Sequence, residues 1–176
     1  MDRVEDNWGD PILAARASSD AFREFAQRHL EPLAETLAMI TFDRQLAADA
    51  AQDAFLRLHL RWDSRKELDD PVAWVYRVGI NRCHDYRRQI RRAARLFDRL
   101  AGSADAETDG RPWAPGVEFA SLVGRLPKQQ RVAAVLFYQA DLSVEEIASV
   151  MRISEGAVKS HLHRARLALE PLVRAE

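Results

Sequence analysis

A single cysteine, Cys83, in 176 residues excludes an internal disulfide framework and any cluster of cysteine metal ligands. Long apolar runs are missing too: the longest stretch without a charge, Val132 to Ala140, has nine residues, against the roughly 20 that a membrane span needs. The opening MDRVEDNWGD carries acids where a secretory leader carries an apolar stretch, so a cytoplasmic protein without membrane insertion is expected. There is no phosphate-cradling glycine loop, no nucleophile motif and no pair of carboxylates in an apolar setting, so neither an enzyme nor a cofactor is expected. His161 and His163 are two residues apart on a helix and point about 200° away from each other, which makes them poor partners for a metal.

Strand alternation is also lacking, whereas helical periodicity recurs throughout. With 47% hydrophobic and 30% charged residues, the chain reads as all-α and globular. Helices are expected near 19–40, 45–61, 71–95, 117–124, 128–139, 143–150 and 155–170. Asp70 and Pro71 mark one helix start, Ser143 with Glu146 forms a capping box, and Ser154 caps the last helix.

The net charge of -1 conceals a strong asymmetry. Residues 1–73 sum to -6, while residues 74–95 hold seven arginines against the lone acid Asp85. A basic block of this kind suits a polyanionic partner, although a solvated arginine-rich helix end gives the same composition. Composition shifts again over AGSADAETDGRPWAPG, residues 101–116, which is linker chemistry that cannot bury enough surface to offset its ordering entropy. The expected layout is an N-terminal segment 1–18, a domain 19–97, a flexible linker 98–116 and a second domain 117–176. Such a linker is expected to leave the two domains unaligned.

Residues 143–170 have the pattern of a helix-turn-helix. Projected at 100° per residue, Val158, Leu162, Ala165 and Leu169 of the second helix share a narrow arc. Lys159, Ser160, His163, Arg164 and Leu167 lie opposite and offer groups that reach phosphates and base edges. An ordinary amphipathic helix with a wet basic face shows the same periodicity; the capped helix ahead of it favours the DNA reader. The helix from Val72 to Arg95 divides similarly. Val75, Tyr76, Gly79, Ile80, Cys83, Tyr86 and Ile90 share one face. Arg77, Asn81, His84, Asp85, Arg88 and Arg92 share the other, with Trp74 at its edge. Arginines with an aromatic suit nucleic acid with unpaired bases, and equally a core-edge tryptophan with an Asp85 ion pair. On the helix from Gln45 to Arg61, Asp49, Gln52, Asp53, Leu56 and Arg57 face outward, and an exposed leucine among polar groups hints at protein docking.

These segments together resemble the extracytoplasmic-function (ECF) branch of the bacterial sigma factors, which have region two, a linker and region four. The likeness covers about residues 11–172. It rests on DRQLAADAAQDAFLR (43–57), on PVAWVYRVGINRCHDYRR (71–88), and on Leu126-Pro127 with Arg131. It continues through Leu142-Ser143, Glu146-Ile147-Ala148, Ile153-Ser154, Gly156, Val158-Lys159-Ser160 and Arg164-Ala165-Arg166.

The resemblance implies two helical domains and a set of roles. Asp49, Gln52, Asp53, Leu56 and Arg57 would dock on the clamp helices of core RNA polymerase. Trp62, Arg65 and the rest of the loop to Asp70 would capture a flipped base of the single-stranded -10 element. Trp74, Arg77, Asn81, Asp85 and Arg88 would hold that element as it melts. Lys159, Ser160, His163 and Arg164 would read the duplex -35 element. Apolar residues of 117–139, including Leu122, Val135 and Leu136, would serve the region-four core and a surface for the flap tip. Control by an anti-sigma factor is common in the family. Asp141 departs from the glycine often found there, and aspartate tolerates a left-handed backbone less easily. Ala157 replaces a common threonine. A polymerase-independent helix-turn-helix regulator is the alternative, but it leaves the faces of Trp74–Arg92 and Asp49–Arg57 without a purpose.

Overall fold

A computed structural model describes residues 11–62, 68, 70–101 and 118–173. Among these there are seven helices and no strand: α1 (Pro11–Thr41), α2 (Arg44–His59), α3 (Pro71–Ala101), α4 (Glu118–Gly124), α5 (Lys128–Tyr138), α6 (Val144–Met151) and α7 (Glu155–Val173). Helix α1 begins eight residues ahead of the expected position 19, and α3 runs six residues beyond the expected 95. Much of the linker, with Arg65 and most of its loop, lies outside the described residues.

In the first half, α1, α2 and α3 pack on one another. Alanines make this tight: Ala47, Ala50, Ala51 and Ala54 of α2 are all essentially fully buried, so the backbones approach closely. Gly79 does the same for α3, since a Cβ there would stand 2.9 Å from Leu37 Cδ1. Pro32 sits inside α1 on its solvent side, where water can meet the carbonyl that loses its amide partner. The Thr36 hydroxyl, on the buried side, donates to the Pro32 carbonyl at 2.8 Å. Asp43 caps α2 by accepting from the Leu46 amide at 2.9 Å, and Asp70 caps α3 by accepting from the Val72 amide at 2.7 Å.

In the second half, Val132 to Leu136 of α5, Ile147 and Val150 of α6, and Val158, Leu162 and Ala165 of α7 form the core. The Ser143–Glu146 capping box is complete, with the Glu146 amide donating to Ser143 Oγ at 3.2 Å and the Ser143 amide donating to Glu146 Oε2 at 2.6 Å. Ser154 Oγ accepts from the Ala157 amide at 3.2 Å. Asp141 does adopt the left-handed backbone, with φ 53°. Arg152 is left-handed as well, φ 56°, and ends α6 to set up the turn into α7.

The expectation of unaligned domains is corrected. Helix α3 packs on α6, and α1 packs on both α4 and α5. The link is Phe42, a left-handed residue (φ 56°) at the α1–α2 turn. Its ring lies under the Arg131 guanidinium, 4.8 Å from ring centroid to Cζ. A Cβ on Gly124 would come within 3.3 Å of that ring. No helix among the described residues is long and apolar enough to cross a membrane.

Candidate nucleic-acid and polymerase interfaces

Three surfaces collect the residues singled out in the sequence. On α7, burial of Val158, Leu162 and Ala165 fixes the rotation of the helix. Lys159, His163 and Arg164 are thereby exposed and Ser160 is half-buried. Lys159 Nζ lies 3.4 Å from Glu155 Oε2, one turn back. That pair is solvent-exposed, so it costs little to exchange for a phosphate. Arg166 Nε donates to the hydroxyl of half-exposed Tyr138 at 2.8 Å, tying α7 to α5 at the edge of this face.

On α3, the buried row of Val75, Tyr76, Ile80 and Cys83 turns Asn81 and Arg88 to solvent and leaves Arg77, His84 and Asp85 half-buried. Asp85 accepts a hydrogen bond from Arg88 one turn on. The Arg82 guanidinium covers the Tyr86 ring at 4.7 Å, while Arg87 donates to the Thr41 carbonyl across to α1. Burial holds His84 below the ordinary histidine value, and the charges of Lys128 and Arg87 press in the same direction. The Cys83 thiol is pushed up to about 12 by burial.

Two expectations for this region are corrected. Trp62 is only 6% exposed: its ring lies 5.2 Å from Phe22 and 5.3 Å from Phe25, centroid to centroid. It packs into the aromatic cluster of α1 instead of offering a stacking face. Trp74 is half-buried against the same core. Ile90, placed with the apolar face by periodicity, is 62% exposed, because that part of α3 has run past the helices that cover its earlier turns.

On α2, Leu56 is exposed as expected, with Asp49, Gln52 and Arg57 around it. Asp49 accepts a hydrogen bond from Gln45 at 3.0 Å. Asp53 is less free than expected. Its Oδ2 lies 3.0 Å from Arg57 Nε and 3.1 Å from Arg82 Nε, so it also braces α2 against α3. Leu60 was missed. It is 77% exposed and one turn beyond Leu56, a spacing that would have revealed a two-leucine strip. No group of three metal-ligating side chains is found among the described residues.

The chain that carries these surfaces has relatives among known proteins. The family model for sigma-70 region 2 matches residues 25–93, and that for sigma-70, region 4 matches residues 117–169. The chain is similar to the ECF RNA polymerase sigma factor SigM of Bacillus subtilis, at 30% identity over 85% of this chain and 93% of the relative. It is also similar to the RNA polymerase sigma factor CnrH of Cupriavidus metallidurans, at 32% identity over 95% of each. The solved structure of CnrH in complex with the cytosolic domain of CnrY superposes with a TM-score of 0.62, covering 95% of this chain and 98% of that one. The sigma factor RpoE of Bartonella quintana, solved with the anti-sigma factor NepR, shares the fold at 22% identity and a TM-score of 0.67, over 89% of this chain and 98% of that one.

Proposed function

The chain belongs to the ECF branch of the sigma-70 family, and from that premise we infer how its three surfaces divide the work of directing core RNA polymerase to promoters. Asp49, Gln52, Leu56 and Arg57, with Leu60, form the docking strip for the polymerase clamp. Leucines at its centre supply apolar burial, and the rim charges set orientation. Lys159, Ser160, His163 and Arg164 enter the major groove of the -35 element, where cations meet phosphates and hydrogen-bonding groups meet base edges. Trp74, Arg77, Asn81, Asp85 and Arg88 hold the -10 strand once it is unpaired, with Arg65 in the adjoining loop. Trapping unpaired bases offsets the few kcal/mol that extruding each one costs. The protein thus acts by binding, not by catalysis, in the cytoplasm where polymerase and chromosome are. Its relatives CnrH and RpoE are each held by another protein, and a regulatory protein partner of that kind is part of this reading.

The observation that carries the reading is that one chain presents two such rows, on α3 and on α7, each set by the buried face of its own helix. A duplex-only regulator needs one such row. The test is transcription by core polymerase on fragmented genomic DNA, with and without this protein, mapping new 5′ ends. New starts that share two spaced upstream elements are expected. Tight operator binding by the protein alone, without new starts, would overturn the reading.

A further inference from the structure

Where the two halves meet they form a half-open cleft of about 1060 Å³, just above the roughly 300–1,000 Å³ typical of small-ligand sites. Its charge is one-sided. Arg87 and Arg88 line it from α3, Arg125 from the α4–α5 turn, Lys128 and Arg131 from the first turn of α5, and Arg152 from the end of α6. The only carboxylate in the lining is Asp85, and Arg88 already occupies it. Among the described residues, neither Arg125 nor Arg152 forms an ion pair, and both are exposed.

Closing the halves therefore gathers like charge into a concave space, where screening is weaker than on an open surface. An anion placed there relieves that repulsion. Because its contacts come from both walls, its binding and the closure of the halves form one linked equilibrium. The shape favours a compact ligand over a continuous strand, because the cleft is shut on one side where Gly124 and Arg131 meet Phe42. His84, also in the lining, has a buried Nε2 with no hydrogen-bond partner among the described residues.

We propose that this interdomain cleft binds a compact polyphosphate anion, either an inorganic phosphate chain or the phosphate tail of a nucleotide, and that the bound anion holds the two halves closed. The cleft shares Asn81, Asp85 and Arg88 with the row given above to the -10 strand, but anion binding is measured without DNA or polymerase, so the two readings fail separately.

The experiment is calorimetric titration of the full chain with inorganic tripolyphosphate, adenosine triphosphate and adenosine monophosphate at fixed ionic strength. Saturable one-to-one binding of both triphosphate-bearing ligands, with at least tenfold weaker binding of the monophosphate, is expected. Equal affinity of the first two assigns the phosphate chain alone; tighter binding of the nucleotide assigns a nucleotide. Arg125→Glu with Arg152→Asn on one wall, and Arg88→Gln on the other, should each weaken tripolyphosphate binding at least tenfold. Asparagine suits the left-handed backbone at position 152, so the fold is kept. Arg23→Glu with Arg28→Glu, on exposed α1 positions away from the cleft, should leave affinity unchanged. Non-saturable binding, equal loss in that control, or insensitivity to either wall overturns the proposal.

Discussion

The Arg131 guanidinium rests on the ring of Phe42, with Cζ 4.8 Å from the centroid, and this contact joins two halves that the linker alone would leave independent. Phe42 reaches it from a left-handed backbone, φ 56°, a conformation that a bulky residue adopts only under constraint. A cation over an aromatic face contributes about 0.5–2 kcal/mol, and packing of the ring against Gly124 adds to it. Phe42→Asn keeps the backbone conformation accessible and removes the ring. The expected outcome is a larger radius of gyration by small-angle X-ray scattering, with helix content by circular dichroism unchanged. Unchanged dimensions would mean that α3 on α6 suffices to hold the halves together.

Gly79 is a glycine inside a helix, where alanine would ordinarily gain about 1 kcal/mol. Here a Cβ would meet Leu37 Cδ1 at 2.9 Å, and Leu37 is fully buried with nowhere to move. Overpacking typically costs 1–3 kcal/mol, so Gly79→Ala should be net destabilising by about 1 kcal/mol. For a chain of this size that is a drop of roughly 2–4 °C in Tm, readable by circular dichroism. A rise in Tm would show that α1 and α3 can part at no cost.

How much of this was legible beforehand follows the range of the interactions. Ser143 with Glu146 and Ser154 sit in motifs complete within a few residues, and each does what its local pattern predicts; Asp141 keeps the left-handed bend that its departure from glycine had put in question. The buried row on α7 follows from periodicity because one face of that helix is covered. Trp62 went astray because its burial depends on Phe22 and Phe25, some forty residues back on α1, whose approach no local pattern encodes. Ile90 failed for the converse reason: periodicity records an apolar face but not where its cover ends. The left-handed turns at Phe42 and Arg152 were invisible because neither residue type advertises that conformation. The docked halves, and with them the cationic cleft, arise only when Arg125, Arg152 and α3 are brought together from distant segments.

Cys83 is the only thiol and is essentially fully buried, pushed up to about 12 by burial. Since the thiolate is the nucleophile, the folded protein should resist iodoacetamide at pH 8 over hours. Unfolding in guanidinium should restore reaction at the rate of a free cysteine, measured by mass spectrometry. Rapid alkylation under native conditions would show that α3 opens locally far more often than its packing allows.

On α2, Leu56 and Leu60 expose apolar surface that folding of this chain leaves uncovered, 59% and 77% accessible. Replacing both with aspartate should leave Tm within about 1 °C, since exposed positions contribute little to stability. Loss of an apolar hot spot at an interface typically costs 2 kcal/mol or more, so affinity for core polymerase should fall roughly thirtyfold or more by fluorescence anisotropy. The -35 duplex should bind as before, because Lys159, His163 and Arg164 are untouched. Core binding that survives the double change would move the docking site elsewhere on region two.

His84 should make the stability of the fold depend on pH. Its folded value lies below the ordinary 6.5, first through burial and then through Lys128 of α5 and Arg87 of its own helix, with Arg88 adding and Asp85 opposing. The unfolded chain therefore binds the proton more readily, and stability falls as pH drops below about 6.5 until the folded histidine titrates, after which its contribution is flat. His29, lowered by burial and by Arg28 with Asp70 opposing, acts in the same sense. Between pH 7.5 and 5.5 the urea midpoint should fall, and His84→Gln should make that fall smaller. Lys128→Ala should raise the His84 midpoint toward its ordinary value in a proton NMR titration, because the charge it removes comes from the opposite half. If Lys128→Ala left that midpoint where it was, the two halves would not be packed together in solution.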